Sequence, residues 1–147
     1  MKFLHKLIAT VFYIGYIPFA PGTFSSIAAI ILYCFIKNNP LAMGAAIISC
    51  LLLGFLSAGK AEDIFRSKDS RKIVIDEFTG MLVSLFFLPV NAVYTILAFA
   101  LFRILDIIKP APAGSLEKLK GSAGIMLDDI VVGIYTNLML RVLNLIV

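Results

Sequence analysis

Five carboxylates and one arginine stand out in this sequence because they interrupt runs of apolar residues. They fall in three short stretches: Asp76 and Glu77, then Arg103 and Asp106, then Asp128 and Asp129. A carboxylate beside a hydrocarbon-facing segment is costly, so it usually has a partner, a metal or a catalytic task. For Asp128 and Asp129 the alternative is a charge in the first turn of a helix, which the dipole favours by about 0.3–1 kcal/mol.

A group of oxygen ligands without histidine suits a hard divalent cation, and Mg²⁺ is the ion we expect. Repulsion among neighbouring carboxylates also favours a cation between them. Mg²⁺ commonly bridges carboxylates to phosphate oxygens, so the acidic stretches indicate a phosphate substrate. Arg103, with its planar guanidinium, is the natural second contact to that phosphate.

The stretch Pro-Gly-Thr at residues 21–23 precedes an apolar run that we expect to be helical. Thr23 is predicted to cap a helix that begins at Phe24, while Gly22 allows a close approach of the backbone. Free amides at such a helix start bind anions, and Ser25 and Ser26 add hydroxyl groups there. The alternative is an ordinary turn followed by a cap.

Elimination narrows the chemistry. The one histidine, His5, lies near the amino terminus, and Cys34 and Cys50 both lie inside apolar runs. The sequence shows no Cys-x5-Arg loop, no Asp-x-Asp pair and no evident serine–histidine pair for nucleophilic catalysis. What remains is metal-assisted attack of water on a phosphomonoester, with a carboxylate as base.

The composition is that of an integral membrane protein. Of the 147 residues, 61% are hydrophobic and 15% are charged, and the mean hydropathy is +1.00, outside the usual soluble range. The length predicts a single membrane domain over 1–147. The net charge of +4 lies in short loops between apolar runs, so it does not indicate binding to nucleic acid.

The apolar runs predict an all-α, polytopic fold with about five crossing helices. They cover residues 24–36, 41–58, 73–88, 92–108 and 125–147. Lysine and arginine gather in the polar loops 59–72 and 109–124, which we therefore expect in the cytoplasm. A shorter run, 7–17, is predicted to be an interfacial or re-entrant helix. Lys109, at the start of the second loop, either contacts phosphate or serves as a topology signal.

With this topology, all three acidic stretches meet at the cytoplasmic ends of helices. Small and polar residues at fourfold spacing are predicted to pack these helices closely. They form two stripes, Asp76, Gly80 and Ser84 in the first, and Asp129, Gly133, Asn137 and Arg141 in the second.

Four of these segments together resemble the phosphatidylglycerophosphatase A family. The segments are 21–23 (PGT), 75–80 (IDEFTG), 102–110 (FRILDIIKP) and 124–133 (GIMLDDIVVG), and their order and spacing also match. The resemblance implies a Mg²⁺-dependent, multi-pass enzyme of the bacterial inner membrane with its site facing the cytoplasm. Its substrate would be phosphatidylglycerophosphate and its product phosphatidylglycerol.

On this resemblance we expect a catalytic role for all six charged residues. Asp76, Glu77, Asp128 and Asp129 would bind Mg²⁺, with one carboxylate as base. The phosphate would contact a second set: Gly22, Thr23, Ser25, Ser26, Arg103 and Lys109. Two rival functions remain, an ion-coupled transporter, which needs charges near the bilayer midplane, and a non-catalytic subunit, which would tolerate loss of Asp76 and Asp128.

Overall fold

The computed structural model describes residues 1–68 and 70–147, and these residues form helices and loops without a β-strand. In chain order the helices are α1 (Lys2–Ala9), α2 (Pro21–Ile36), α3 (Pro40–Phe65), α4 (Ile75–Leu85), α5 (Ala92–Ile108), α6 (Ala113–Leu116) and α7 (Ser122–Ile146). A single 3-10 turn, Ile14–Tyr16, lies between α1 and α2. The predicted all-helical class is confirmed.

Helix α4 lies at the centre of the bundle. It packs against α2, α3, α5 and, most extensively, α7, and eight of its eleven residues are buried. It is shorter than the predicted run 73–88, since the chain turns to an extended conformation at Phe86. At about 1.5 Å per residue, α4 is roughly 16 Å long, about half of a hydrocarbon core.

Two helices of the described chain are long and apolar enough to cross a membrane, α3 with 26 residues and α7 with 25. Much of α3 faces outward, and Leu52 and Leu56 are 61% and 59% exposed, which suits contact with lipid. Helices α2 and α5 have 16 and 17 residues. The five predicted crossings are therefore not confirmed, and a crossing by α2, α4 or α5 stays a prediction.

Other helix boundaries also differ from those predicted. Helix α3 continues to Phe65, through residues 59–65 that we expected in a loop, and it ends where Arg66 adopts a left-handed conformation. Helix α7 begins at Ser122, three residues before its predicted start. In the amino-terminal segment, α1 precedes most of the expected run 7–17, which bends through left-handed residues at 11–13.

The small and polar stripes pack helices as predicted. A Cβ on Gly133 would lie 2.5 Å from the carbonyl oxygen of Gly80, so α4 and α7 cross in close backbone contact. Asn137 donates to the carbonyls of Ser84 and Phe86, at 3.0 and 2.7 Å, and Arg141 donates to the carbonyl of Phe86 at 3.0 Å. These bonds satisfy the carboxyl end of α4, which has no further helical turn to do so.

Candidate active site

The five predicted carboxylates line one cavity of about 180 Å³: Asp76, Glu77, Asp106, Asp128 and Asp129. They come from the first turn of α4, the last turn of α5 and the amino-terminal third of α7. One oxygen from each of Asp76, Glu77 and Asp129 lies within 4.8 Å of the other two. The predicted convergence of three helices is therefore confirmed.

The position of Asp128 and Asp129 excludes the simple helix-start interpretation. They are the seventh and eighth residues of α7, whose first turn holds no acidic residue. The dipole effect is confined to about one turn, so it does not account for these charges. Both are nearly inaccessible to solvent, at 3% and 2% exposure. We therefore expect their role to concern the cavity.

Glycines let the helices come close enough for this arrangement. A Cβ on Gly80 would lie 2.7 Å from the carbonyl oxygen of Asp129, which places the backbone of α7 directly against α4. A Cβ on Gly22, in the first turn of α2, would fall on the carboxylate of Glu77. The predicted Pro-Gly-Thr segment thus lies beside the acidic cluster, as its functional interpretation requires.

The first turn of α2 differs in detail from the prediction. The helix begins at Pro21, its capping residue is Ala20, and Thr23 makes no capping hydrogen bond. Ser25 and Ser26 are fully buried, and their hydroxyls donate to the carbonyls of Val74, at 2.6 Å, and Gly22, at 3.0 Å. The bond to Val74 ties α2 to the start of α4. A role of these hydroxyls in phosphate binding stays a prediction.

Arg103 reaches the cluster through Asp106. Its Nη1 lies 2.8 Å from Oδ2 of Asp106, but Nη1 is not aligned for a hydrogen bond and has no other partner among the described residues. The Arg103 side chain is 21% exposed. Its remaining guanidinium nitrogens are further donors, so Arg103 is able to donate to another anion.

Lys109 binds protein carboxylates. Its Nζ donates to Oδ2 of Asp128 at 2.6 Å and lies 3.1 Å from Oε1 of Glu117. Burial lowers the pKa of Lys109, but its hydrogen bonds with Asp128 and Glu117 and the charges of Asp128 and Asp129 outweigh it and raise the pKa above its usual value. Lys109 is therefore a permanent cation that orients Asp128, and its predicted contact with substrate phosphate stays untested.

The remaining carboxylate oxygens fit a bound cation. Four of them are buried without a hydrogen-bond partner in the described chain: Asp76 Oδ1, Glu77 Oε2, Asp128 Oδ1 and Asp129 Oδ2. Unpaired buried carboxylates are strongly disfavoured, and these offer only oxygen, the donor that Mg²⁺ prefers. The donor chemistry of the residues present thus suits the predicted metal.

Two basic residues of the cavity were not predicted as site residues. Lys68 and Arg71 line the same cavity as the carboxylates, although the sequence pattern gave these two residues only a role in membrane topology. The one feature of the sequence that could have indicated them as site residues is their proximity to the acidic motif at Asp76. The loop's fold, which no periodicity encodes, decides where they lie.

The structure places one serine beside the histidine, away from the acidic cavity. Nδ1 of His5 lies 3.2 Å from Oγ of Ser57, and Nζ of Lys60 lies 3.4 Å from Nε2. Ser57 is 1% exposed, and neither residue lines the acidic cavity. The pair joins α1 to α3 and gives no support to nucleophilic catalysis.

Known proteins resemble this chain over most of its length. The family model described as Phosphatidylglycerophosphatase A matches residues 7–144. A protein of Bacteroides thetaiotaomicron with the provisional name phosphatidylinositol-3-phosphatase is 37% identical, over 96% of this chain and 94% of that protein. Proteins named phosphatidylglycerophosphatase A from Haemophilus influenzae and Escherichia coli are 37% and 34% identical, over 88% and 87% of this chain and 82% and 76% of their own lengths. No solved structure matches.

Proposed function

Because this chain belongs to the phosphatidylglycerophosphatase A family, we propose that it hydrolyses the terminal phosphomonoester of phosphatidylglycerophosphate. The products are phosphatidylglycerol and inorganic phosphate. The observation that carries this proposal is the buried group of Asp76, Glu77 and Asp129, whose oxygens converge within 4.8 Å beside a cavity large enough for a phosphate.

Asp76, Glu77 and Asp129 would hold Mg²⁺, and Asp128 is a fourth candidate ligand. When bound, Mg²⁺ offsets the charge of the phosphate oxygens and activates water for attack. Residues of the protein itself bind the phosphate. Arg103, whose Nη1 is paired with Asp106, donates through its other guanidinium nitrogens to a phosphate oxygen, and Gly22 and Thr23 bring the backbone of α2 to the same place.

Asp128 is our candidate for the general base. Lys109 holds its Oδ2, which fixes the carboxylate with Oδ1 unpartnered in a residue that lines the cavity. A base must lie within hydrogen-bond reach of the proton it accepts and must be held in position. Asp128 Oδ1 would accept the proton of the attacking water. Asp106 is the alternative base, but its carboxylate is already paired with Arg103.

The proposed setting is the bacterial inner membrane, with five crossings and the site on the cytoplasmic side. Helices α3 and α7 have the length for it, and exposed Lys68, Arg71 and Lys120 lie in the two loops next to the acidic helix ends. Basic residues of short loops favour the cytoplasm. The carboxylates gather at one end of their helices, which does not favour the rival transporter, whose charges would be needed near the midplane.

The test is phosphate release by the purified protein in detergent, with and without Mg²⁺. We expect release from phosphatidylglycerophosphate that stops on chelation and is restored by Mg²⁺. Asp129→Asn should abolish release, whereas the exposed Asp63→Asn on α3 should not. A wild-type protein that folds yet releases no phosphate from any lipid monoester would refute the proposal and leave the non-catalytic subunit.

Phosphatidylinositol 3-phosphate is a second candidate substrate, because the Bacteroides relative aligns with 96% of this chain. Its inositol ring is bulkier than glycerol, so the two lipids place different demands on the cavity. Their kcat/KM values, measured side by side in the same micelles, decide between them. We expect the glycerophosphate lipid to be preferred, as in the family's name.

A further inference from the structure

We propose that Lys68 and Arg71 bind the internal phosphodiester of the lipid substrate, and thereby select lipids that carry both a phosphodiester and a terminal phosphomonoester. This inference rests on the proposed function. It extends that function from the reacting phosphate to a second, non-reacting one.

Two basic residues of the cavity lie apart in sequence from the site carboxylates. The five site carboxylates lie on α4, α5 and α7, while Lys68 and Arg71 lie on the loop before α4; Glu62 of α3 and Glu117 line the same cavity. The ion pairs of the described chain engage Arg103 and Lys109, and none involves Lys68 or Arg71. Both of these side chains are exposed at the cavity, so they offer positive charge that no ion pair among the described residues engages.

The part of the loop that carries Arg71 is fixed to the bundle. The amide of Ile73 donates to the carbonyl of Ser70 at 2.8 Å, and the amide of Val74 donates to the carbonyl of Ala9 at 2.9 Å. Ile73 and Val74 are buried, and the acidic motif follows at once. Arg71 is therefore held a few residues from Asp76 and cannot move far from it.

Neighbouring Lys72 points away from the cavity, so the basic residues of this loop have different surroundings. Nζ of Lys72 lies 4.9 Å from the ring centre of Tyr16 and 5.4 Å from that of Phe65. It does not line the cavity. Lys72 packs on the aromatic surface, and Arg71 and Lys68 remain for the ligand.

The two substrates named for the relatives share the chemistry that this pair would recognise. Phosphatidylglycerophosphate and phosphatidylinositol 3-phosphate each carry a phosphomonoester on an alcohol headgroup that a phosphodiester joins to diacylglycerol. The carboxylates and Arg103 account for the monoester. A guanidinium can bind both free oxygens of the diester at once, with a lysine beside it as a point charge.

The experiment compares lipids that contain or lack the diester, using the full chain in mixed micelles. Phosphatidylglycerophosphate has both groups, phosphatidic acid has only the monoester, and phosphatidylglycerol has only the diester. The variants are Arg71→Gln and Lys68→Gln, with Arg66→Gln as control, since Arg66 is exposed in the same loop but does not line the cavity. Arg71→Lys tests rescue by charge alone.

We expect Arg71→Gln to raise KM for phosphatidylglycerophosphate about tenfold, the usual size for a lost charge-assisted bond, with kcat nearly unchanged. The inhibition constant of phosphatidylglycerol should rise by the same factor, hydrolysis of phosphatidic acid should not change, and Arg71→Lys should recover part of the loss. Lys68→Gln should act in the same direction, and Arg66→Gln should match the wild type.

The diester subsite would be overturned if Arg71→Gln weakened hydrolysis of phosphatidylglycerophosphate, hydrolysis of phosphatidic acid and inhibition by phosphatidylglycerol by the same factor. It would also be overturned if the variant changed none of the three. A wild-type protein that hydrolyses phosphatidic acid with the same efficiency as phosphatidylglycerophosphate would also overturn it. If no lipid is hydrolysed, the proposed function has failed instead, and direct binding of short-chain phosphatidylglycerol to wild type and Arg71→Gln still decides the subsite. Equal binding by these two proteins would refute it.

Discussion

Gly22 lies against the carboxylate of Glu77, so closely that a Cβ at this position would fall on the Glu77 side chain. This contact joins the first turn of α2 to the first turn of α4. Glu77 has little room to yield, since its Oε2 is buried and Asp76 and Asp129 crowd the other side. Glu77, a candidate metal ligand, can therefore occupy its position only because residue 22 has no side chain.

Gly22→Ala should therefore lower phosphatase activity while leaving the fold intact. Displacing a catalytic group by about 1 Å can cost on the order of 100-fold, and we expect a 10- to 100-fold fall in kcat/KM. Gly44→Ala is the control, because its Cβ would meet only the ring of Phe86, at 4.0 Å. Equal activity of the two variants would remove Glu77 from the mechanism.

The acidic site could be predicted because charges inside apolar runs are visible in the sequence itself. Asp76, Asp106 and Asp129 lie near the ends of such runs, and alternating helix directions bring these ends to one side. Length and hydropathy do not determine packing partners, however. The central position of α4, and its early end at Leu85, depend on contacts with α7 that a one-dimensional pattern does not contain.

The partners of the basic residues could not be predicted for the same reason. Lys109 follows a helix end, where it could serve phosphate, lipid or protein, and only the fold brings Asp128 to within 2.6 Å of it. Arg71 and Lys72 are adjacent, yet one lines the cavity and the other packs on Tyr16. A loop held by tertiary hydrogen bonds sets these directions, whereas a helix would set them by its period.

The crossing of α4 and α7 should be intolerant of a single methyl group. A Cβ on Gly133 would lie 2.5 Å from the carbonyl oxygen of Gly80 and 3.2 Å from Cβ of Val83, and backbone atoms cannot rotate away. We expect Gly133→Ala to destabilise the protein by about 1–3 kcal/mol, as overpacking generally does, with loss of activity. Thermal unfolding in detergent measures this against Gly44→Ala, and a stability equal to that control would contradict the close crossing.

The attachment of α1 should depend on pH through His5. Burial, and then the charge of Lys60, lowers the pKa of His5 below its usual 6.5. Since the folded-state pKa is lowered, the stability that neutral His5 contributes is present above about pH 6.5 and is lost as the pH falls through the lowered value. Lys60 can only donate, so its approach to Nε2 requires the neutral ring.

We therefore expect acidification from pH 8 to pH 5 to lower the melting temperature of the wild type more than that of His5→Gln. The comparison cancels the carboxylates, which titrate alike in both proteins. Parallel curves would show that Ser57 and Lys60 do not engage His5 in solution.

Neutralising Asp129 should stabilise the metal-free protein even as it abolishes activity. Asp129 is 2% exposed, and one of its oxygens lies within 4.8 Å of oxygens from Asp76 and Glu77, so without a cation three buried negative charges repel one another. Asp129→Asn removes one charge, and in chelator its melting temperature should exceed that of the wild type by about 2–6 °C, the scale for 1–2 kcal/mol in a chain of this size.

Added Mg²⁺ should then raise the melting temperature of the wild type and leave that of the variant unchanged, because only a folded state with an intact ligand set gains from binding. Asp63→Asn, at an exposed position of α3, should follow the wild type in both conditions. A variant that melts below the wild type in chelator would mean that Asp129 is held by a stabilising contact and not by a metal.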